Sequence, residues 1–159
     1  MMDSVEQFLA HAVRLERDAA ERFAQLAESM EAYDNREVAG LFRQLAHYSR
    51  LHLNDARMRS GYRNIPDLQS SEFTWPDMES PETPAIWGAD PMICREEALE
   101  IAFAAESAGL DYYRRILETT DDPEIRAFAR EFAEEEAEHV AELEKWIAAH
   151  RAGLPMPVA

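Results

Sequence analysis

Four stretches of this sequence repeat apolar residues at intervals of three and four, which is the spacing of one face of an α-helix. They cover roughly residues 4–30, 35–60, 94–118 and 122–150. No stretch shows the strict alternation of apolar and polar residues that is typical of a half-buried strand. The sequence therefore predicts an all-α protein with four long helices.

Start signals and short turns indicate how these helices are paired. Ser4 to Gln7 reads as a capping box, and Asp122 with Pro123 reads as an N-cap followed by proline at the first helical position. Short polar turns at about 32–35 and 119–122 predict two antiparallel helical hairpins. The 159 residues fit one domain, with hairpin 1 at about 4–60, a crossover at 61–93 and hairpin 2 at about 94–150.

The crossover between the second and third helices is long and unusual in composition. It holds five of the eight prolines and two of the three tryptophans. A helix of about 27 residues is about 40 Å long, so a segment of this size can run the length of a helical bundle. Disordered linkers are poor in tryptophan. We therefore expect Phe73, Trp75 and Trp87 to pin the crossover to the helices or to a partner chain.

Composition excludes several classes of function. The formal net charge of −16 gives a surface that repels nucleic acid and anionic lipid. No apolar run is long enough for a membrane span, and the first residues lack a secretion signal, so we expect a cytoplasmic protein. The single cysteine, Cys94, excludes an intrachain disulfide and is read as an ordinary buried thiol. His11, His47 and His150 are read as surface or rim residues.

The two predicted hairpins resemble each other in sequence. A shift of 90 residues places Glu16 on Glu106, and a shift of 87 places His52 on His139. The second helix carries Ser49 three residues before its histidine, where the fourth carries Glu136. We interpret the chain as a duplicated helical hairpin.

Polar residues interrupt the apolar stripe of every helix at about half height. The stripes contain Glu16, then Ser49 with His52, then Glu106, then Glu136 with His139. An ionised carboxylate costs several kcal/mol to bury unless it is paired or bound to a metal, and converging carboxylates also repel. A cation between them removes both costs. Since residues at i and i+3 share a helix face, the spacing predicts a metal centre inside the bundle.

This pattern resembles the ferritin-like di-iron carboxylate bundle, and within it the rubrerythrin group. The segments that most resemble the typical sequence of this group are 16–23, 41–46 and 134–139. The resemblance implies a ferritin-like four-helix bundle with two iron ions, Mn and Zn being possible. It also implies that Glu16 and His52 bind one metal, Glu106 and His139 bind the other, and Glu136 bridges them.

Ser49 departs from the family pattern, which has a second bridging glutamate there. Three carboxylates leave two divalent ions with an excess charge of +1. Either a hydroxide or oxo bridge restores neutrality, with the Ser49 hydroxyl bonded to it, or one metal is lost. Three further residues are candidate accessory groups. Asp55 and Glu142 either hold the second nitrogens of the two histidines or face solvent. Tyr113 can hydrogen-bond a ligand carboxylate, as tyrosines do in the family.

The resemblance implies chemistry with O2, peroxide or Fe(II), and hence a candidate oxidoreductase. An enzyme of this kind needs an external electron donor, because one cysteine cannot form a rubredoxin-type iron centre. The alternative is an inactive or single-metal bundle with a binding or structural role. A third reading is iron storage or compartment cargo, with residues 153–157 as a docking peptide. Exposed aromatic residues in the crossover favour a homodimer.

Overall fold

The computed structural model of the protein describes residues 4–77 and 79–155. Its four long helices are α1 (Val5–Ala32), α2 (Arg36–Ser60), α3 (Arg95–Thr119) and α4 (Pro123–Arg151). Two short 3-10 helices, Ser70–Glu72 and Ile86–Ala89, lie in the crossover, and no described residue is in a strand. The predicted all-α class is confirmed. In these ranges no helix is both long and apolar enough to cross a membrane.

The helix starts follow from local chemistry. The Ser4 side chain accepts a hydrogen bond from the Gln7 backbone N–H at 3.1 Å. The Asp122 carboxylate accepts from the N–H groups of Glu124 and Ile125, and Pro123 is the first helical residue. These caps satisfy backbone donors that have no partner inside the helix. Cys94 is the N-cap of α3 and is exposed, so its interpretation as a buried thiol was wrong. A capping position lies at the end of a helix, outside the packed core.

The helices pack as two hairpins, α1 against α2 and α3 against α4. Side chains from all four helices form two separate apolar clusters. One cluster is built around Phe23, Phe42 and Trp146, and the other around Phe8 and Phe132. Burial of this apolar surface at both ends holds the hairpins together. A layer of residues that belongs to neither cluster remains between them.

Two aromatic residues fasten the crossover to the helices. The rings of Phe73 and Trp75 stack with centroids 5.6 Å apart, and each meets the His11 ring of α1 edge-on at 5.0 Å. Trp75 also contacts Tyr112 of α3. The predicted pinning role is confirmed for these two residues. Trp87 in contrast remains 55% exposed.

His11 lies beneath the crossover, so its interpretation as a surface residue was wrong. It is only 4% exposed, its Nδ1 lies 2.8 Å from the Gln7 carbonyl oxygen, and its Nε2 accepts from the Thr74 backbone N–H. Burial lowers the pKa of His11, which fits a neutral ring with one donor and one acceptor nitrogen. The helical stripe alone does not show that a distant loop covers this face.

Candidate metal centre

The layer between the two apolar clusters is polar on all four helices. It contains Glu16 of α1, Ser49 and His52 of α2, Glu106 of α3, and Glu136 and His139 of α4. The three glutamates and the serine are buried, and the two histidines are partly buried. These are the positions at which the sequence places polar residues inside an apolar stripe. The polar positions predicted from the helical spacing therefore lie together in one layer at mid-height of the bundle.

The five predicted ligands meet at one place in this layer. His52 Nδ1 lies 3.6 Å from a Glu16 carboxylate oxygen and 3.2 Å from one of Glu136. His139 Nδ1 lies 3.7 Å from a Glu106 oxygen. The two imidazole rings stack with centroids 4.3 Å apart. Each hairpin thus supplies one histidine and one glutamate that stand side by side.

The donor atoms form two overlapping groups in which every atom is within 4.8 Å of the others. One group is His52, Glu136 and His139, and the second is Glu16, His52, Glu82 and Glu136. His52 and Glu136 belong to both groups, and Glu136 is the one carboxylate that does so among the described residues, as a bridging carboxylate requires. Glu106 lies outside both groups and stands beside His139.

Glu82 is a member of this cluster that the sequence did not indicate. It comes from the crossover, is 1% exposed, and has a backbone φ of +69°. A glutamate between prolines in a turn normally reads as a solvent-exposed residue, so its own position carries no signal. The available signal is Gly109, a residue without a side chain in the stripe of α3, where the adjacent space has to be filled from elsewhere.

Several buried oxygen and nitrogen atoms of the layer have no hydrogen-bond partner among the described residues. They are Glu16 Oε2, both oxygens of Glu82, both oxygens of Glu106, Glu136 Oε2, Ser49 Oγ and His139 Nδ1. Within the described ranges, the ion pairs of Glu16, Glu106 and Glu136 are made by His52 and His139, and not by lysine or arginine. Unpartnered carboxylates beside imidazole nitrogens are a donor set that suits Fe, Mn or Zn. The residues present therefore fit a metal.

The electrostatics of the layer are those of a negative site. Burial raises the pKa of Glu136 well above its usual range, and the charges of Glu106 and Glu16 add to the effect. Burial likewise raises the pKa of Glu82, with a further contribution from Glu136. Burial opposes the charge on His52, but its contacts with Glu136 and Glu16 outweigh burial and raise the pKa to about 11. Without a metal, these groups retain protons in place of cations.

The three candidate accessory residues, Asp55, Glu142 and Tyr113, lie outside the two donor groups. Asp55 pairs with Arg59 at 3.2 Å, and Glu142 lies 3.9 Å from the Lys145 ammonium. These contacts match the solvent-facing alternative for both acids. Tyr113 is buried against Phe8. Burial raises its pKa, and the charges of nearby glutamates in the layer contribute.

Comparisons with known proteins agree with this geometry. The family model described as Rubrerythrin matches residues 97–156. A solved structure of an uncharacterised conserved protein from Magnetospirillum magnetotacticum MS-1 is similar over almost the whole chain. It shares 36% sequence identity, covers 98% of this chain and 99% of that chain, and superposes with a TM-score of 0.70. The chain belongs to the rubrerythrin-like family of ferritin-like proteins. No curated protein matches the sequence.

Membership of the rubrerythrin-like family confirms the predicted ferritin-like fold. The family match includes Glu106, Glu136 and His139 of the second hairpin. The similarity to the solved structure extends the relationship to the first hairpin and the crossover. The fold is thus that of a di-iron carboxylate family, and the carboxylate and histidine cluster lies where the four helices meet.

Proposed function

We propose that this rubrerythrin-like protein holds two metal ions, with iron as the metal, and acts on O2, peroxide or Fe(II). The observation that carries the proposal is the clustering of Glu16, His52, Glu136 and His139 in one buried layer, with Glu106 beside His139 and most of the carboxylate oxygens unpartnered. Burying such charges without a cation is costly. Glu16 with His52 would hold one ion, Glu106 with His139 the other, and Glu136 would lie between them.

A pair of irons supplies one- and two-electron chemistry with oxygen species, and the protein supplies position, charge and access. The apolar clusters flank the layer on both sides. A cavity of about 240 Å³ between α2 and α4 reaches His139 and is lined by Leu45, Tyr48 and Trp146. In this proposal small molecules enter through that cavity, and Gln44 positions the Tyr48 hydroxyl with a hydrogen bond of 2.9 Å.

Three further expectations belong to the same proposal. An external donor supplies electrons, because the single cysteine of this chain cannot form a four-cysteine iron centre. A homodimer remains our predicted oligomeric state, and the exposed Ile86 and Trp87 of the crossover are its candidate contacts. The cytoplasm remains the predicted location.

Ser49 favours a second candidate function. A serine in place of a carboxylate ligand removes one negative charge from the helices. A chain that no longer binds one of the two metals would not need that charge. The second candidate is therefore an inactive or single-metal bundle with a binding or structural role. Iron storage or a cargo role is a third reading, and of its proposed tail peptide Met156 and Pro157 lie outside the described residues.

Metal analysis separates these candidates. The protein is purified without chelator for elemental analysis, then stripped, titrated anaerobically with Fe(II) and exposed to air. Two irons per chain, with a new near-UV charge-transfer band, support the di-metal proposal. One inert ion or stoichiometric zinc supports the second candidate and overturns the first. Uptake and oxidation of many irons per chain support storage.

A further inference from the structure

We propose that Glu82 of the crossover is a metal ligand that completes the half-site of the first hairpin, where Ser49 supplies no carboxylate. We further propose that Gly109 is the residue that admits it. This inference rests on the proposed function, since it assumes that the polar layer binds metal. It assigns a donor that lies outside the four helices.

The placement of the Glu82 side chain is the first argument. One of its oxygens lies within 4.8 Å of donor atoms of Glu16, His52 and Glu136. The residue is 1% exposed, and neither oxygen has a hydrogen-bond partner among the described residues. An unpaired buried carboxylate costs several kcal/mol. A cation shared with Glu16, His52 and Glu136 accounts for a carboxylate in this position.

The backbone beneath Glu82 is the second argument. The Thr83 N–H donates to the Ser80 carbonyl at 3.4 Å, which closes a turn with Pro81 second and Glu82 third. The positive φ of Glu82 at the third position is one that glycine or asparagine usually takes. A non-glycine residue in this conformation is strained. Glycine would be the less strained choice here, and the turn instead carries a glutamate whose side chain is buried in the layer.

Polar contacts fix both ends of this turn to α1, the helix that carries Glu16. The Ser80 hydroxyl donates to the Asp18 carboxylate at 2.9 Å. The Arg22 guanidinium donates to the Pro84 carbonyl at 2.9 Å. The Glu82 carboxylate is therefore delivered to a defined place, as a ligand on a loop requires.

Gly109 provides the space that this carboxylate occupies. A Cβ atom at position 109 would lie 2.9 Å from Glu82 Oε2 and 3.2 Å from Glu82 Cβ and Cδ. The contact with Oε2 is too close, so any side chain at 109 displaces the carboxylate. The duplication aligns Ala19 of α1 with this position, and hence the glycine is specific to the helix that faces Glu82.

Charge balance is the last argument. The helices alone bring three carboxylates to the layer, which leaves two divalent ions with an uncompensated positive charge. With Glu82 the layer holds four carboxylates, which neutralise two divalent ions. The negative charge that is missing at Ser49 is thus supplied by Glu82 of the crossover.

Titration with Co(II) tests the assignment on full-length, chelator-stripped protein under anaerobic conditions. Glu82→Gln keeps the shape of the side chain and removes its charge. We expect the wild-type chain to bind two ions. The variant should bind the second ion at least about tenfold more weakly, since even the loss of a residue that only supports a metal ligand lowers affinity by about that factor. Asp67→Asn, an exposed change in the same crossover, should titrate like wild type.

The melting temperature of the stripped protein separates a ligand from a structural residue. Glu82→Gln should raise it at neutral pH, because glutamine has no ionised form that burial at this position would disfavour. A merely structural Glu82 would give a lower melting temperature both with and without metal, and that result would overturn the proposal.

Gly109→Ala tests the space for Glu82 while every carboxylate is kept. Alanine favours a helix more than glycine does, so the fold should be preserved. We expect the second ion to bind more weakly than in wild type, because the added Cβ displaces the Glu82 carboxylate. Wild-type titration by this variant would overturn the role of Gly109.

The outcomes for Glu82 and for the metal centre are distinguishable. If the wild-type chain binds no metal, the proposed function fails, and this inference fails with it. If wild type and Glu82→Gln both bind two ions with equal affinity, this inference alone is overturned.

Discussion

In the proposed metal centre, the two hairpins form similar half-sites by different routes. In the second hairpin, Glu106, Glu136 and His139 all project from helices. In the first, Glu16 and His52 project from helices, position 49 is a serine, and the additional carboxylate in the layer is Glu82 from the crossover. In the proposed centre, the comparison teaches that a layer can keep its charge although one donor comes from a loop in one hairpin and from a helix in the other.

The two routes also differ in how firmly a donor is held. A donor on a helix is fixed by the backbone hydrogen bonds of that helix. Glu82 is fixed by the turn around it and by two polar contacts to α1. We therefore expect the first half-site to be the weaker of the two. The predictions below test this asymmetry, from the largest expected effect to the smallest.

Glu136→Gln should have the largest effect, because Glu136 is the one described carboxylate that belongs to both donor groups and so can supply an oxygen to each ion. We expect both ions to be lost at concentrations that saturate wild type, with affinity reduced by about 100-fold or more. Co(II) titration and elemental analysis measure the change. Glu138→Gln, an exposed substitution two residues away, is the matched control. Retention of two ions by Glu136→Gln would contradict the shared position of Glu136.

The two histidines allow the half-sites to be compared directly. His139→Gln should remove the tighter of two binding steps. His52→Gln should act mainly on the weaker step, because Glu16 and Glu82 of the first half-site group with His52 and not with His139. Stepwise isothermal titration with Co(II) resolves the two steps. Equal losses in both variants would show that the hairpins hold metal equally well, and the proposed asymmetry would be wrong.

A glutamate restored at position 49 should compensate for the loss of Glu82. We expect Ser49→Glu to recover about tenfold in affinity for the second ion when it is combined with Glu82→Gln, since Ser49 is buried in the same layer. In the wild-type background the gain should be smaller, because four carboxylates are already present. If the double variant gains nothing over Glu82→Gln, position 49 lies outside the site.

The metal-free protein should become less stable as the pH rises. Burial and neighbouring charges raise the pKa values of Glu82 and Glu136, so above about pH 4.5 the folded chain binds more protons than the unfolded chain. The free energy of unfolding then falls with increasing pH, by up to about 1.4 kcal/mol per pH unit for each proton retained only in the folded state.

Urea unfolding at about pH 5.5 and 7.5 measures this slope. It should be smaller in Glu82→Gln, and since His11 is present in both chains, its opposite contribution cancels in the comparison. An identical slope in the two proteins would show that Glu82 does not retain a proton on folding.

The sequence predicts most of the fold because its signals are local. Helix spacing places Glu16, Glu106 and Glu136 on inward faces, and capping residues such as Asp122 mark where helices begin. The path of the crossover depends instead on contacts between residues far apart in the chain. For that reason the sequence did not reveal that Phe73 and Trp75 cover His11, or that Glu82 enters the layer beside Gly109.

The division of the apolar core into two clusters has a consequence for how this protein can change. Each cluster draws side chains from all four helices, so burial of apolar surface joins the helices at each end of the bundle. The donors of the middle layer can therefore change without removing these contacts. Proteins with this bundle can exchange the metal-binding residues of the middle layer while the bundle stays folded. For the same reason the bundle is a suitable starting point for redesign toward other cofactors.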